Sequence, residues 1–263
     1  MNLTKSATQR VLRKQLKLRP YKIPNEQSLS NEARGQRKTF CEWFLQKCVG
    51  RSTFLQDIWW SDEAHVYLHG DGNRQNVRIW SRSPPDAVYE LPLHSPKVTV
   101  WCATISAQGI IGPIFFEDSR GKTVTVNQER YQDVLLQFVN ALQRRCADTL
   151  NVQWFQQDGA PAHTAKKTME LLRERMGDRV ISKGADISWP PQSPDLSPLD
   201  FFLWGHIKAV IFKNDPKDLS ELKEAIRAAI GSISRETCAK VAEEAKRRAI
   251  LCAARDGGHV ENV

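Results

Sequence analysis

Apolar residues spaced by three and four mark several amphipathic helices along this chain. In residues 128–146, Tyr131, Val134, Leu135, Phe138, Leu142 and Cys146 share one face, the period of a helix laid on a core. Residues 31–48 set Ala33, Phe40, Phe44 and Cys48 along one side. Residues 164–176 turn Met169, Leu172 and Met176 inward, with Gly177 as a C-terminal stop. Asp218 and Glu221 form a capping pair before Leu222, Ile226 and Ala229, and Ser234 opens a last helix that Gly257 and Gly258 close. A short helix over 6–17 begins at Ser6, and residues 17–24 leave it extended through Pro20 and Pro24.

Strand signals lie between these helices. Asp57-Ile58-Trp59-Trp60-Ser61 predicts a strand delivering Asp62 at its end. Further strands, rich in β-branched and aromatic residues, are predicted near 77–80, 97–105 and 110–116. Val152 to Phe155 leads to Gln156-Gln157-Asp158, and Arg179 to Ser182 makes a short strand. Pro190, Pro191, Pro194 and Pro198 then enforce an extended segment. The mixture predicts an α/β fold. Val98 to Phe116 is free of charge over 19 residues, near the minimum for a membrane span. Ser106-Ala107-Gln108-Gly109 is a turn signal inside it, so it divides into two buried strands of a hairpin, and no membrane partner is expected.

Composition adds two things. With 41% hydrophobic and 26% charged residues the chain is that of a folded protein. Its six cysteines form no C-x-x-C pair, so reduced thiols in an intracellular protein are expected rather than a disulfide scaffold or zinc ribbon. The formal charge of +8 is unevenly placed. Lys5, Arg10, Arg13, Lys14, Lys17, Arg19 and Lys22 stand in a segment with no acid, and setting those seven aside leaves 31 basic against 30 acidic residues. That N-terminal patch points to nucleic acid or another anionic surface. It also has the composition of an organelle transit peptide, as a lesser alternative; no apolar core of a secretory signal follows Met1.

Three acids stand where short polar motifs interrupt strands or prolines: Asp62 in WSDEAH, Asp158 in QQDGAPAHT and Asp200 in SPDLSPLDFFLWG. Strand ends in an α/β sheet bring side chains together across gaps such as the 95 and 41 residues that separate them. Three carboxylates suit two hard divalent cations, which activate water and stabilise the leaving oxygen in phosphodiester displacement. Without metal the carboxylates repel, and raised pKa values are expected. Taken singly, such an acid is more often a turn former than a ligand. No glycine-rich phosphate loop is present.

The segments IWWSDEAHVYLHG, GNRQNVRIW, LHSPKVTVWCA, WFQQDGAPAHT and WPPQSPDLSPLDFFLWG closely resemble the mariner-type transposases, and more narrowly their Tc3-like branch. The resemblance runs from about Ala7 to the C-terminus. It implies an RNase H-like catalytic domain over 54–263, a helical linker over 25–53, and over 1–24 the remnant of a helix-turn-helix. It further implies a DDE/D-type active site of Asp62, Asp158 and Asp200 holding two Mg²⁺ or Mn²⁺, with Asp62 bridging both ions. Asp195 competes with Asp200 for the third position; lying between Pro194 and Pro198 it has a natural turn role, and matching of the motif favours Asp200.

The implied activity is cutting at transposon ends and joining of the 3′-OH to target DNA. The implied partner is DNA, in a paired-end complex and hence a homodimer, although no dimer surface is legible in these residues, and the implied location is the nucleus. Arg10, Arg13, Lys14 and Lys17 are expected to hold DNA phosphates. Family members carry two helix-turn-helix modules ahead of the catalytic domain, so an N-terminally truncated copy is expected. The alternatives are a truncated or domesticated copy that only binds nucleic acid, and a host nuclease of the same fold. Glu63 is expected at the surface, because neighbouring strand residues face opposite ways, with a supporting role behind Asp62 as the alternative. His163 either orients Asp158, contacts a phosphate, or caps the helix that follows. Trp59, Trp60, Trp101, Trp154 and Trp204 are expected in the core, and Trp189 either there or stacked on a base.

Overall fold

A five-stranded mixed sheet in the order β3-β2-β1-β4-β5 organises the chain: β1 is Ile58–Tyr67, β2 Lys97–Ile105, β3 Gly109–Phe115, β4 Trp154–Gln156 and β5 Val180–Ile181. These elements come from a computed structural model, which describes residues 28–68, 96–105, 108–214 and 216–260, together with Val11 and Lys14. β1 pairs antiparallel with β2 and parallel with β4, so the sheet changes from antiparallel to parallel at β1. The helix predicted over 6–17 and the strand near 77–80 lie outside the described residues, as do Arg10, Arg13 and Lys17; Lys14 is exposed.

Both faces of the sheet are covered, and the side-chain alternation of β1 and β2 divides the core in two. On one face Trp60, Val66, Val98, Val100 and Cys102 pack with α1 (Asn31–Gly50), α5 (Trp204–Asn214), α6 (Leu219–Gly231) and α7 (Arg235–Ala254). On the other, Trp59, Trp101 and Ala103 meet α2 (Gln128–Cys146) and the helical stretch beyond β4. Phe138 of α2 is fully buried, in contact with Trp59, Trp101 and Phe155 at ring separations of 5.0–5.6 Å. Burying a side chain of this size stabilises the fold by about 1.5–3 kcal/mol.

Helix starts follow local chemistry. Ser30, Asn127, Asp218 and Ser234 each accept a backbone N–H with the side chain, opening α1, α2, α6 and α7. The helix predicted over 164–176 is α4 (Lys166–Met176), and a separate helical turn, α3 (Pro161–Thr164), precedes it across Ala165, whose backbone is extended with ψ of 139°. The last helix ends at Ala254, and Gly257 turns with φ of +79° against α1, where a Cβ would stand 2.0 Å from the Arg34 carbonyl oxygen. Among the described residues no helix is long and apolar enough to cross a membrane, and Cys41, Cys48, Cys102, Cys238 and Cys252 are free thiols.

Candidate active site

The parallel ladder between β1 and β4 ends at the pair Trp60 and Gln156. Two residues past that pair, the two strands carry Asp62 and Asp158. Asp62 is therefore midway along β1 rather than at its end, because β2 continues to pair with β1 as far as Tyr67; it lies beyond the end of the parallel ladder only. The QQD motif fixes this junction. Ser61 Oγ donates to the Gln156 carbonyl at 2.7 Å, stitching β1 to β4. Buried Gln157 accepts from the Tyr131 hydroxyl at 2.8 Å and donates to Ser182 Oγ at 2.9 Å and the His163 carbonyl at 3.0 Å. Asp158 thus leaves the sheet from a residue locked on three sides.

Asp200 comes from the opposite direction. After a one-turn helix at Pro194–Leu196, the backbone makes a wide π-type turn over Leu199–Leu203 and continues as α5. This turn packs on β1, and Trp204 Nε1 donates to Asp62 Oδ2 at 2.7 Å. The three carboxylates line one cleft of about 820 Å³ together with Glu63, Trp189 and Lys183, whose side chain is the one cation among the described residues lining it. Trp189 is buried in the core, where it makes T-shaped contacts with Phe40 and Trp60.

The electrostatics separate the acids. Burial, then the charges of Asp200 and Glu63, raise the Asp62 carboxyl well above its ordinary value. Asp200 meets solvent at the cleft mouth, yet the protein mass around it and the charge of Asp158 lift it to about 6. Asp158 moves the other way: burial would raise it, but the hydrogen bond with His163 outweighs that and holds it low. The raised values expected for a metal-free carboxylate cluster therefore hold for Asp62 and Asp200 and fail for Asp158.

His163 explains the exception. Its buried ring, stacked 4.0 Å from Tyr131, places Nδ1 2.5 Å from Asp158 Oδ1 and Nε2 3.2 Å from Glu63 Oε1. Burial lowers the imidazole, but the hydrogen bonds to Asp158 and Glu63 prevail and bring it to about 10. Glu63 corrects the sequence expectation. It alternates with Asp62, but its side chain is only 16% exposed and its carboxylate meets His163 Nε2 at 3.2 Å. His163 orients Asp158 and does not cap the following helix, whose N-terminus has no side-chain cap.

Asp195 has a separate place. Arg37 of α1 and Asp195, both fully buried, form a bidentate pair at 2.8 and 2.6 Å. Arg37 also donates to Ser193 Oγ at 2.9 Å and the Gly257 carbonyl at 2.8 Å, while the Val260 N–H donates to Asp195 Oδ2 at 2.9 Å. Burial alone would raise Asp195; Arg37 overcomes it and holds the carboxyl below its ordinary range. Sequence reasoning missed Arg37. The signal was a cation on the apolar stripe of Ala33, Phe40 and Phe44, which demands a buried partner.

Among the described residues no three His, Cys, Asp or Glu side chains already stand close enough to clasp an ion. The donor set nevertheless fits hard divalent cations. It is all oxygen, two members are raised by burial and then by neighbouring carboxylate charge, and Trp204 and His163 each hold one oxygen of Asp62 and Asp158.

No family model matches the chain. The mariner Mos1 transposase of Drosophila mauritiana is 29% identical over 194 residues, 71% of this chain and 51% of that protein. The transposable element Tcb2 transposase of Caenorhabditis briggsae is 27% identical over 191 residues, 72% and 62% of the two chains. The chain thus spans about half to three fifths of the curated relatives it matches. Among solved structures, a Mos1 paired-end complex with the left transposon end superposes with a TM-score of 0.77 at 21% identity, over 98% of this chain and 72% of that one. The Mos1 catalytic domain with Raltegravir and Mn gives 0.69 at 21% identity, over 89% and 99%. The mixed sheet flanked by helices is accordingly an RNase H-like α/β fold, as expected from the sequence.

Proposed function

The chain belongs to the mariner superfamily of transposases, and from that premise we propose that it is the catalytic body of a divalent-metal-dependent DNA transposase. It hydrolyses phosphodiester bonds at transposon ends and joins the resulting 3′-OH to target DNA. The observation that carries this reading is the convergence of Asp62, Asp158 and Asp200 on one cleft at the end of the β1–β4 ladder. Asp62, Asp158 and Asp200 would hold two Mg²⁺ or Mn²⁺, which when bound supply activation of water and stabilisation of the leaving oxygen. Solved structures of the Mos1 catalytic domain with Mn and with Mg support the choice of metals.

The chain's own residues do the positioning. His163 fixes one oxygen of Asp158, Glu63 holds the far nitrogen of His163, and Trp204 fixes one oxygen of Asp62. Both carboxylates are thereby held in place before substrate arrives, and preorganisation of this kind lowers the cost of reaching the reactive geometry. The Lys183 stem lies against Gly159, where a Cβ would come within 3.1 Å of it, and Lys183 lines the same cleft as Asp158.

DNA is the partner in this reading, with Arg10, Arg13, Lys14 and Lys17 on its phosphates, a homodimer as the assembly that pairs two ends, and the nucleus as the place of action. The Mos1 paired-end complexes support the first two. A host nuclease or a copy that only binds nucleic acid has no comparable support, since all three acids are present and convergent. The test is nicking of supercoiled plasmid in Mn²⁺ and Mg²⁺, wild type beside Asp158→Asn. Metal-dependent nicking that the substitution removes supports the reading; nicking that survives it overturns the assignment.

A further inference from the structure

The β3 edge of the sheet, away from the β1–β4 junction, carries a second concavity of opposite sign. Gly109, Ile110 and Gly112 of β3 border a cleft of about 850 Å³ that Arg145, Arg227 and Arg235 line and no carboxylate does. It shares no lining residue with the carboxylate cleft. Beyond the first 22 residues the sequence holds 31 basic against 30 acidic residues. Three arginines facing one concavity are therefore a local arrangement and not a consequence of composition.

Two of the arginines are held without being neutralised. Arg145, in the last turn of α2, donates from Nη1 to the Ile110 carbonyl at 2.8 Å, and the Arg227 guanidinium lies 5.0 Å from the centre of the Phe115 ring. A carbonyl and a ring face fix direction but leave the positive charge in place. Arg235 opens α7, a position where the helix dipole favours acids, and it has no ion pair among the described residues. The cost of placing a cation there is offset when an anion sits in front of both.

Resting on the transposase reading, we infer that this cleft is a second DNA site, which holds the backbone of a duplex segment other than the one in the carboxylate cleft. Three guanidinium groups spread over an opening of this size exceed what one small anion needs. They suit a row of phosphates, which recur every ~3.4 Å of axis along each strand.

The test measures binding of duplex DNA against salt with metal chelated, so that no cutting intervenes. Each phosphate contact contributes about 0.9 to the slope of log affinity against log salt. The triple variant Arg145→Gln, Arg227→Gln, Arg235→Gln is expected to lower that slope by about 2–3. Arg235→Gln alone, which removes no described contact and so leaves the fold intact, is expected to lower it by about 1. An unchanged slope in Arg235→Gln overturns the site. So does a slope difference that free inorganic phosphate abolishes, because a single-anion pocket would then account for it. Binding is read without metal and nicking with it, so the two readings fail separately. An uncut plasmid with an arginine-dependent slope removes only the catalytic reading; normal nicking with an unchanged slope removes only this site.

Discussion

Asp195 and Asp200 lie five positions apart in one proline-rich motif and live in opposite electrostatic regimes. Asp195 is dry and fully matched, with Arg37 on both oxygens and the Val260 amide besides. Asp200 reaches the mouth of a cleft where burial first, and then the charge of Asp158, push its carboxyl up to about 6. The difference teaches which acid does which work. A carboxylate whose partners satisfy both oxygens serves to hold chain together, whereas one left facing other carboxylates is held ready for a charge that arrives from outside.

The comparison can be broken most forcefully at the buried pair. Asp195→Ala strands the Arg37 guanidinium in the core and is expected to cost about 3–5 kcal/mol, read as a lower denaturant midpoint at constant slope. Asp200→Asn should do the reverse. Stability in chelator is expected to stay level or rise, as one of several like charges is removed, while metal-dependent nicking falls by more than the roughly 100-fold that losing a supporting partner costs. If Asp200→Asn unfolds the protein and Asp195→Ala cuts normally, the assignment of roles is reversed.

A finer test uses Glu63. Glu63→Ala frees the far nitrogen of His163 and is expected to raise the Mn²⁺ concentration for half-maximal nicking by about 10–100-fold. Glu63→Gln keeps an acceptor oxygen toward His163 and should restore most of that loss; failure of the rescue would mean that Glu63 acts by its charge and not by holding the ring. The smallest effect concerns acid. Because the folded Asp195 carboxyl lies below the ordinary 3.8, the stability it contributes is fully present above 3.8 and is lost as pH falls below it. Asp195→Asn should therefore flatten the dependence of the urea midpoint on pH between about pH 5 and pH 3, and an unchanged acid limb would contradict the depressed value.

The helices were legible because periodicity and caps agree with packing: the α2 residues Tyr131, Val134, Leu135, Phe138 and Leu142 are all buried, and Asp218 and Ser234 cap as their positions promise. The end of β1 was not. The polar pair Asp62-Glu63 looks like a strand terminus, but the antiparallel partner that carries the strand on to Tyr67 lies far along the chain. Alternation correctly set Glu63 opposite Asp62, yet which face is wet depends on helices elsewhere. The motifs brought three acids into view, and His163 with them, being five positions from Asp158, whereas Trp204 and Gln157 act through contacts spanning 142 and 26 positions. Arg37 was hidden for the same reason, its partner lying 158 positions away.

The joint around Asp195 also sets an order of events during synthesis. It needs the Gly257 carbonyl and the Val260 amide, so the loop leading to Asp200 cannot reach its final support until residue 260 has left the ribosome. The sheet and α2 can pack while translation continues, since domains fold from the N-terminal side as they emerge. The carboxylate cleft is thus completed after the sheet, and a nascent chain stopped before residue 257 holds its acids without the frame that supports the loop of the third.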